Sequence, residues 1–254
     1  MTRLLHDSYY LMLRALRESR RQPLMELTKM FIPVFFFAVT VGAIGSVAGR
    51  AFGVTNYTGF QLPVAVLQGV AGASGSSGLA MVTDIERGFF DKLLLTPAPR
   101  LALVLGRLAA DAVRFMALTL LILVGGLVAG SGVEAGFAGA VVILLMSGLF
   151  GLAYSGIGLA IALRTGSSQA AQASFLIFFP LLFLSPAFAP KEIFSPWLEF
   201  LATINPVTYI LEGMRDLVLE GWEWQSLAAA FGSITGLGLF TMTLTMLALR
   251  SRTR

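Results

Sequence analysis

Few residues in this chain are of the types that do covalent chemistry, and none has the company it would need. The only histidine is His6, in a basic N-terminal segment. A zinc site needs several converging His, Cys or carboxylate ligands. A nucleophilic triad needs a histidine beside its nucleophile. There is no cysteine, which removes thiolate chemistry and disulfides. None of the three lysines, Lys29, Lys92 and Lys191, follows a glycine. A phosphate-cradling loop needs Gly-Lys-Ser/Thr, so the chain is not expected to hydrolyse a nucleotide by itself. Asp111 and Arg114 lie inside an apolar stretch, where ionisable groups can mark an ion pathway. They sit close to one end of it, and Arg107 and Asp111 are in i,i+4 pairing register. They read as a structural ion pair, with a proton relay as the alternative.

Two segments concentrate charge and aromatic residues. The first is Asp84–Arg100, DIERGFFDKLLLTPAPR. Phe89, Phe90, Leu93 and Leu94 form an apolar side. Asp84, Glu86, Arg87, Asp91 and Lys92 form a polar one, Gly88 permits close backbone approach, and Pro97 and Pro99 end the segment. It reads as a docking helix for a soluble partner, or else as a connector resting on headgroups. The second is Ser185–Trp222, too broken by Pro186, Pro190, Pro196 and Pro206 to be a span. Short amphipathic helices near 195–203 and 206–220 fit it. Trp197, Tyr209, Trp222 and Trp224 would form an interfacial belt. Backbone irregularity at membrane depth must be buried in protein or line a cavity, so this helix pair is expected to dip into the outer leaflet.

The elements that position these segments follow from composition. Of 254 residues, 56% are hydrophobic and 13% charged, and mean hydropathy is +0.81. Soluble domains carry about 25% charge. Apolar stretches lie at roughly 30–48, 60–83, 108–130, 137–163, 170–189 and 225–249. The expected fold is therefore all-α and polytopic, one transmembrane domain of six helices over 1–254. A basic amphipathic helix is expected over 3–28, lying on the membrane surface. With both ends inside, fifteen of the eighteen Lys and Arg fall on the cytoplasmic side and three outside, as the positive-inside bias requires. Gly69, Gly72, Gly75 and Gly78 crowd the second stretch. They read as one tightly packed helix face, at a dimer interface or along a pathway.

The run D-x-E-R-G-F-F-D-K-L-L-L-T-P-x-x-R resembles the coupling helix of type 2 ABC transporter permeases. The run P-A-F-A-P…W-L…N-P-V-T-Y…R resembles the segment before the last span of that family. The similarity is greatest to the daunorubicin-resistance branch of drug and lipid exporters. The pair Phe89-Phe90 departs from it, since relatives often have smaller residues after the glycine. The resemblance implies a permease without its own catalytic residues, paired with a second permease copy and with two ABC ATPase subunits. ATP and Mg would bind the ATPase, and no metal or cofactor would bind this chain. Residues 84–95 would be the mechanical link. The helices of 190–222, with Pro186, Pro190, Trp197, Asn205, Pro206, Tyr209 and Arg215, would form the external gate. The cargo implied is a hydrophobic or amphiphilic drug, lipid or glycolipid leaving the cytoplasm or inner leaflet of a bacterial plasma membrane. An independent secondary carrier or channel is the alternative. It would need buried carboxylates or a polar span. A membrane enzyme would need a surface cluster of His, Asp and Glu.

Overall fold

The computed structural model describes residues 2–20, 23–86, 88 and 100–252. Among these residues there is no strand. The helices are α1 (Thr2–Arg20), α2 (Pro23–Phe52), α3 (Tyr57–Glu86), α4 (Arg100–Val128), α5 (Gly136–Thr165), α6 (Ser168–Gln172), α7 (Ser174–Phe183), α8 (Pro196–Ile204), α9 (Pro206–Leu219) and α10 (Trp224–Arg252). Five carry apolar stretches long enough to cross a membrane: Phe31–Ala48, Tyr57–Thr83, Gly106–Val128, Gly136–Thr165 and Trp224–Arg250. A crossing takes about 20 residues.

The stretch expected at 170–189 differs. It is two helices, α6 and α7, broken at Ala173. Ser174 Oγ turns back to the Ala171 carbonyl at 2.7 Å, and the Tyr154 hydroxyl of α5 donates to the Ser174 carbonyl at 2.9 Å. Side-chain hydroxyls that bond nearby carbonyls bend or interrupt helices. Helix α1 is described to Arg20 and α2 from Pro23, the latter running straight into the first apolar stretch; residues 21 and 22, inside the expected 3–28, lie outside the described residues.

Helix α3 is the centre of the bundle. Its apolar stretch is 82% buried against the rest of the chain, against 22% for those of α2 and α10. Helix α10 packs on α5 through small residues and hydroxyls. Thr241 Oγ1 donates to the Ala153 carbonyl at 2.6 Å, and Thr245 Oγ1 to the Gly156 carbonyl at 2.9 Å. A Cβ on Gly156 would stand 2.7 Å from Thr241 Oγ1. Such hydroxyl bonds across closely approaching helices replace the hydrophobic drive that lipid does not supply. Phe150, Tyr154 and Phe178 close the core between α5 and α7, with ring centroids 5.7 to 6.2 Å apart. Helix α1 lies along the first half of α4, so closely that a Cβ on Gly106 would be 2.6 Å from Leu11 Cβ. Its Tyr9 and Tyr10 remain exposed.

Candidate functional site

At the α9 end of the bundle, long polar side chains tie the helices together through backbone carbonyls. Asn205 precedes Pro206, a combination that starts helices because the amide caps the first turn and proline needs no donor there. Asn205 Oδ1 accepts from the Val207 N–H at 3.0 Å, and its Nδ2 donates to the Leu181 carbonyl of α7 at 2.6 Å. The Tyr209 hydroxyl donates to the Thr203 carbonyl at 2.6 Å, fixing the α8–α9 elbow. Asn56 does the same for α3. Its Oδ1 accepts from the Gly59 N–H at 2.9 Å, and its Nδ2 donates to the Ser131 carbonyl at 2.6 Å.

Arg215 makes the longest tie. Its Nε donates to the Phe60 carbonyl of α3 at 3.3 Å, and its Nη2 to the Pro186 carbonyl beyond α7 at 2.9 Å. The guanidinium carbon stands 3.5 Å from the centre of the Phe60 ring. Burial pushes the guanidinium down to about 10, opposed by the field of Glu212 and Asp216. It stays charged at neutral pH. Burial raises the Glu212 carboxyl above its ordinary value, with Lys191 and Arg215 pulling it back. Beside Arg215 opens a cavity of about 600 Å³ whose wall carries Glu134, Glu192, Glu212, Asp216 and Glu220 against Lys191 and Arg215. Of the expected gate residues, Pro186 and Arg215 are joined by a hydrogen bond, while Asn205 is buried and bonds the Leu181 carbonyl instead and Pro206 is half-buried. Pro190 begins a 3-10 turn over Lys191–Ile193, and Trp197 is exposed on α8.

The opposite end holds a second polar cluster. Asp111 of α4 is buried. Its Oδ1 accepts from Arg114 Nη1 at 2.7 Å, and its Oδ2 accepts from the Ser77 hydroxyl of α3. Arg114 Nη2 donates to the Ala15 carbonyl of α1 at 2.8 Å. Three helices therefore meet on one carboxylate–guanidinium pair. From here α3 continues to Glu86, so Asp84 and Glu86 belong to its last turn rather than to a separate helix. Gly88 follows at φ +65°, the left-handed conformation that ends helices and that glycine adopts at no steric cost. Arg87, Phe89, Phe90, Asp91, Lys92, Leu93 and Leu94 lie outside the described residues.

The glycines of α3 do not share one face. Gly69 faces Leu118 and Ile122 of α4 and Pro33 of α2, Gly72 faces Phe175 of α7, Gly75 faces Gln172 of α6, and Gly78 faces Gly158 of α5. Spacing of three on a helix of 3.6 residues per turn rotates each glycine by about 60° from the last. They spiral, and each admits a different neighbour.

A profile described as "ABC-2 type transporter" matches residues 7–219. The chain belongs to the ABC-2 type transporter family. It is 25% identical over 206 residues to the daunorubicin resistance ABC transporter permease protein DrrB1 of Streptomyces coeruleorubidus, covering 81% of this chain and 72% of that one. It is 23% identical over 210 residues to a probable doxorubicin resistance ABC transporter permease protein DrrC of Mycobacterium tuberculosis, covering 82% and 75%. A putative transport permease, ycf38, of Cyanophora paradoxa is 27% identical over 218 residues, covering 84% and 74%.

Sequence reasoning missed three parts of this ABC-2 permease. Asn56 reads as a chance glycosylation pattern, Asn56-Tyr57-Thr58, yet an asparagine just before an apolar helix is a capping signal. Ser77 is one serine of several, and nothing local marks it as the partner of Asp111. Gln61 and Gln68, seven residues apart on α3, are both buried, and side-chain polar atoms of each lack a hydrogen-bond partner among the described residues.

Proposed function

We propose that this permease is the membrane half-channel of an ATP-driven exporter in a bacterial inner membrane, with ATP hydrolysed by a separate ABC subunit. The observation that carries the reading is the family match over residues 7–219 on a chain with no Gly-Lys pair. The cargo is hydrophobic or amphiphilic: a drug, lipid or glycolipid. The printed names of the drug-resistance relatives support that class. Two permease copies form the path, and two ATPase subunits carry Mg and ATP. Both oxygens of Asp111 accept hydrogen bonds, which favours an ion pair over a proton relay.

Six crossings fit the geometry, and the distribution of Lys and Arg favours both ends cytoplasmic. Ala171 packs at Gly78 of α3, while Arg215 holds Pro186 and Phe60 together at the other end. The chain from α6 to Pro186 therefore runs antiparallel to α3 from residue 78 to residue 60. At about 1.5 Å per residue that is about 27 Å, close to the roughly 30 Å hydrocarbon core. This supports α6–α7 as the sixth crossing and α8–α9 as external. Because the chain has no cysteine, single cysteines report topology without background. Gly132→Cys and Glu199→Cys are expected to react with an impermeant maleimide on intact cells. Asp91→Cys is expected to react only after permeabilisation. Labelling of Asp91→Cys from outside would reverse the orientation.

Force enters through residues 84–95. Phe89 and Phe90 are the anchors seated in the ATPase. Asp84, Glu86, Arg87 and Asp91 ring them. Truncating a buried aromatic anchor commonly costs about 2 kcal/mol or more, whereas exposed charge pairs contribute under about 1 kcal/mol. Phe89→Ala with Phe90→Ala is expected to release the ATPase in pull-down and abolish vesicle transport, while the permease still inserts and pairs. A double variant that binds its ATPase and transports at the parent rate would reduce the segment to a connector.

A further inference from the structure

We infer that Arg215 is a two-position latch, closed on the Phe60 and Pro186 carbonyls and released into the acidic cavity beside it. The inference rests on the external placement of α8–α9 proposed above. In the closed position the guanidinium binds two carbonyls and one ring, tying α9 to the start of α3 and to the chain leaving α7. Among the described residues no carboxylate comes within the 4.0 Å of an ion pair with it. Yet Glu212, Asp216 and Glu192 all act on it electrostatically, and all three line the cavity that Arg215 borders. A buried cation is ordinarily paired. Here the carboxylates line the same cavity of about 600 Å³ as Arg215 and are not engaged.

That arrangement makes sense as two states of one side chain. A long arginine reaches either set of acceptors from the same Cα. Moving from carbonyls to carboxylates exchanges neutral acceptors for charge-assisted bonds, which are the stronger kind. It also uncouples three segments at once, because Phe60 and Pro186 lose their shared donor. The excess of carboxylates in the cavity is what a second cation would require. Lys191 alone leaves that wall strongly negative. Asn56 and Asn205 bond the Ser131 and Leu181 carbonyls through uncharged amides, so they have no charge to carry into the cavity and serve as fixed ties.

Ala187 reports the state of the latch. It is fully buried next to Pro186, and the cysteine-free chain allows Ala187→Cys to be followed alone. The full permease in lipid vesicles is treated with an impermeant maleimide, and the labelling rate is read with Arg215 intact, as Arg215→Gln, and with Glu192→Gln plus Glu212→Gln. Arg215→Gln is expected to label about tenfold faster or more, because two bonds from a charged donor are lost. The paired glutamine variant, which keeps Arg215 and both of its carbonyl acceptors, is expected to label more slowly than the parent, because the released position is weakened. If those carboxylates merely steadied the closed guanidinium, the same variant would label faster, and that result overturns the latch. So does Arg215→Gln labelling at the parent rate while remaining monodisperse. Parent labelling that appears only after permeabilisation overturns the external placement itself, independently of what Arg215 does.

Discussion

Gly78→Ala is expected to destabilise this permease strongly, and Gly78→Val to leave no monodisperse protein after extraction. A Cβ at residue 78 would stand 2.7 Å from the Gly158 carbonyl oxygen, 2.9 Å from the Gly158 carbonyl carbon and 2.9 Å from Ala171 Cβ. Two of those atoms are the backbone of α5, which cannot swing aside as a side chain can. Relief must come from separating α3 from α5 and α6. Gly158 is less tightly placed, since a Cβ there would meet Ser174 Oγ at 3.2 Å and the Gly78 nitrogen only at 3.8 Å. Overpacking a well-filled core costs about 1–3 kcal/mol, and a backbone obstacle places Gly78→Ala at the upper end. Gly72→Ala is the control. Its nearest atom is the Phe175 ring, 3.4 Å away, on a side chain able to turn. It is expected to stay within about 0.5 kcal/mol of the parent. Thermal stability followed by size-exclusion chromatography separates the two. Equal melting of both variants would mean that the spacing at residue 78 is not a packing requirement.

That contrast shows where the sequence was legible. Local signals placed the elements well. Asn205-Pro206 marks the start of α9 because cap and proline act within one turn. Helices expected near 195–203 and 206–220 occur at Pro196–Ile204 and Pro206–Leu219. Five of the six apolar stretches are long helices because length and hydropathy alone decide them. The sixth is interrupted at Ala173, beside the Ser174 carbonyl that the Tyr154 hydroxyl reaches from another helix, and no window of residues 170–189 contains Tyr154. The four glycines read as one face because they are close in sequence, whereas a spacing of three turns each to a different neighbour. Arg215 stood out as a gate residue by resemblance. Its partners, 155 and 29 residues away, are carbonyls, which every residue carries and no composition reveals. The segment 84–100 was legible only as chemistry, since most of it lies outside the described residues.

Asp111→Ala is expected to have the largest effect of any single charge removal in the bundle. The carboxylate is buried and accepts from Arg114 and from the Ser77 hydroxyl. Arg114 has only 19% of its side chain exposed and spans from α4 to the Ala15 carbonyl of α1. Deleting the carboxylate leaves a mostly buried guanidinium with a carbonyl and, among the described residues, no counter-charge in ion-pair contact. Breaking a buried pair by removing one partner costs about 3–5 kcal/mol, whereas replacing both partners by apolar residues of similar volume is often close to neutral. Asp111→Leu with Arg114→Met is therefore expected to regain most of the stability that Asp111→Ala loses. The recovery separates the pair's electrostatics from simple packing, as a double-mutant cycle is designed to do. The double variant has a second, distinct consequence, because it also removes the tie to Ala15. Limited proteolysis is expected to cut between α1 and α2 faster in the double variant than in the parent, even with melting restored. Melting temperature in lipid nanodiscs and the cleavage rate are the two readouts. If Asp111→Ala melts with the parent, the charge pair contributes nothing to stability. If the double variant melts as low as Asp111→Ala, the loss comes from the cavity and not from a stranded charge.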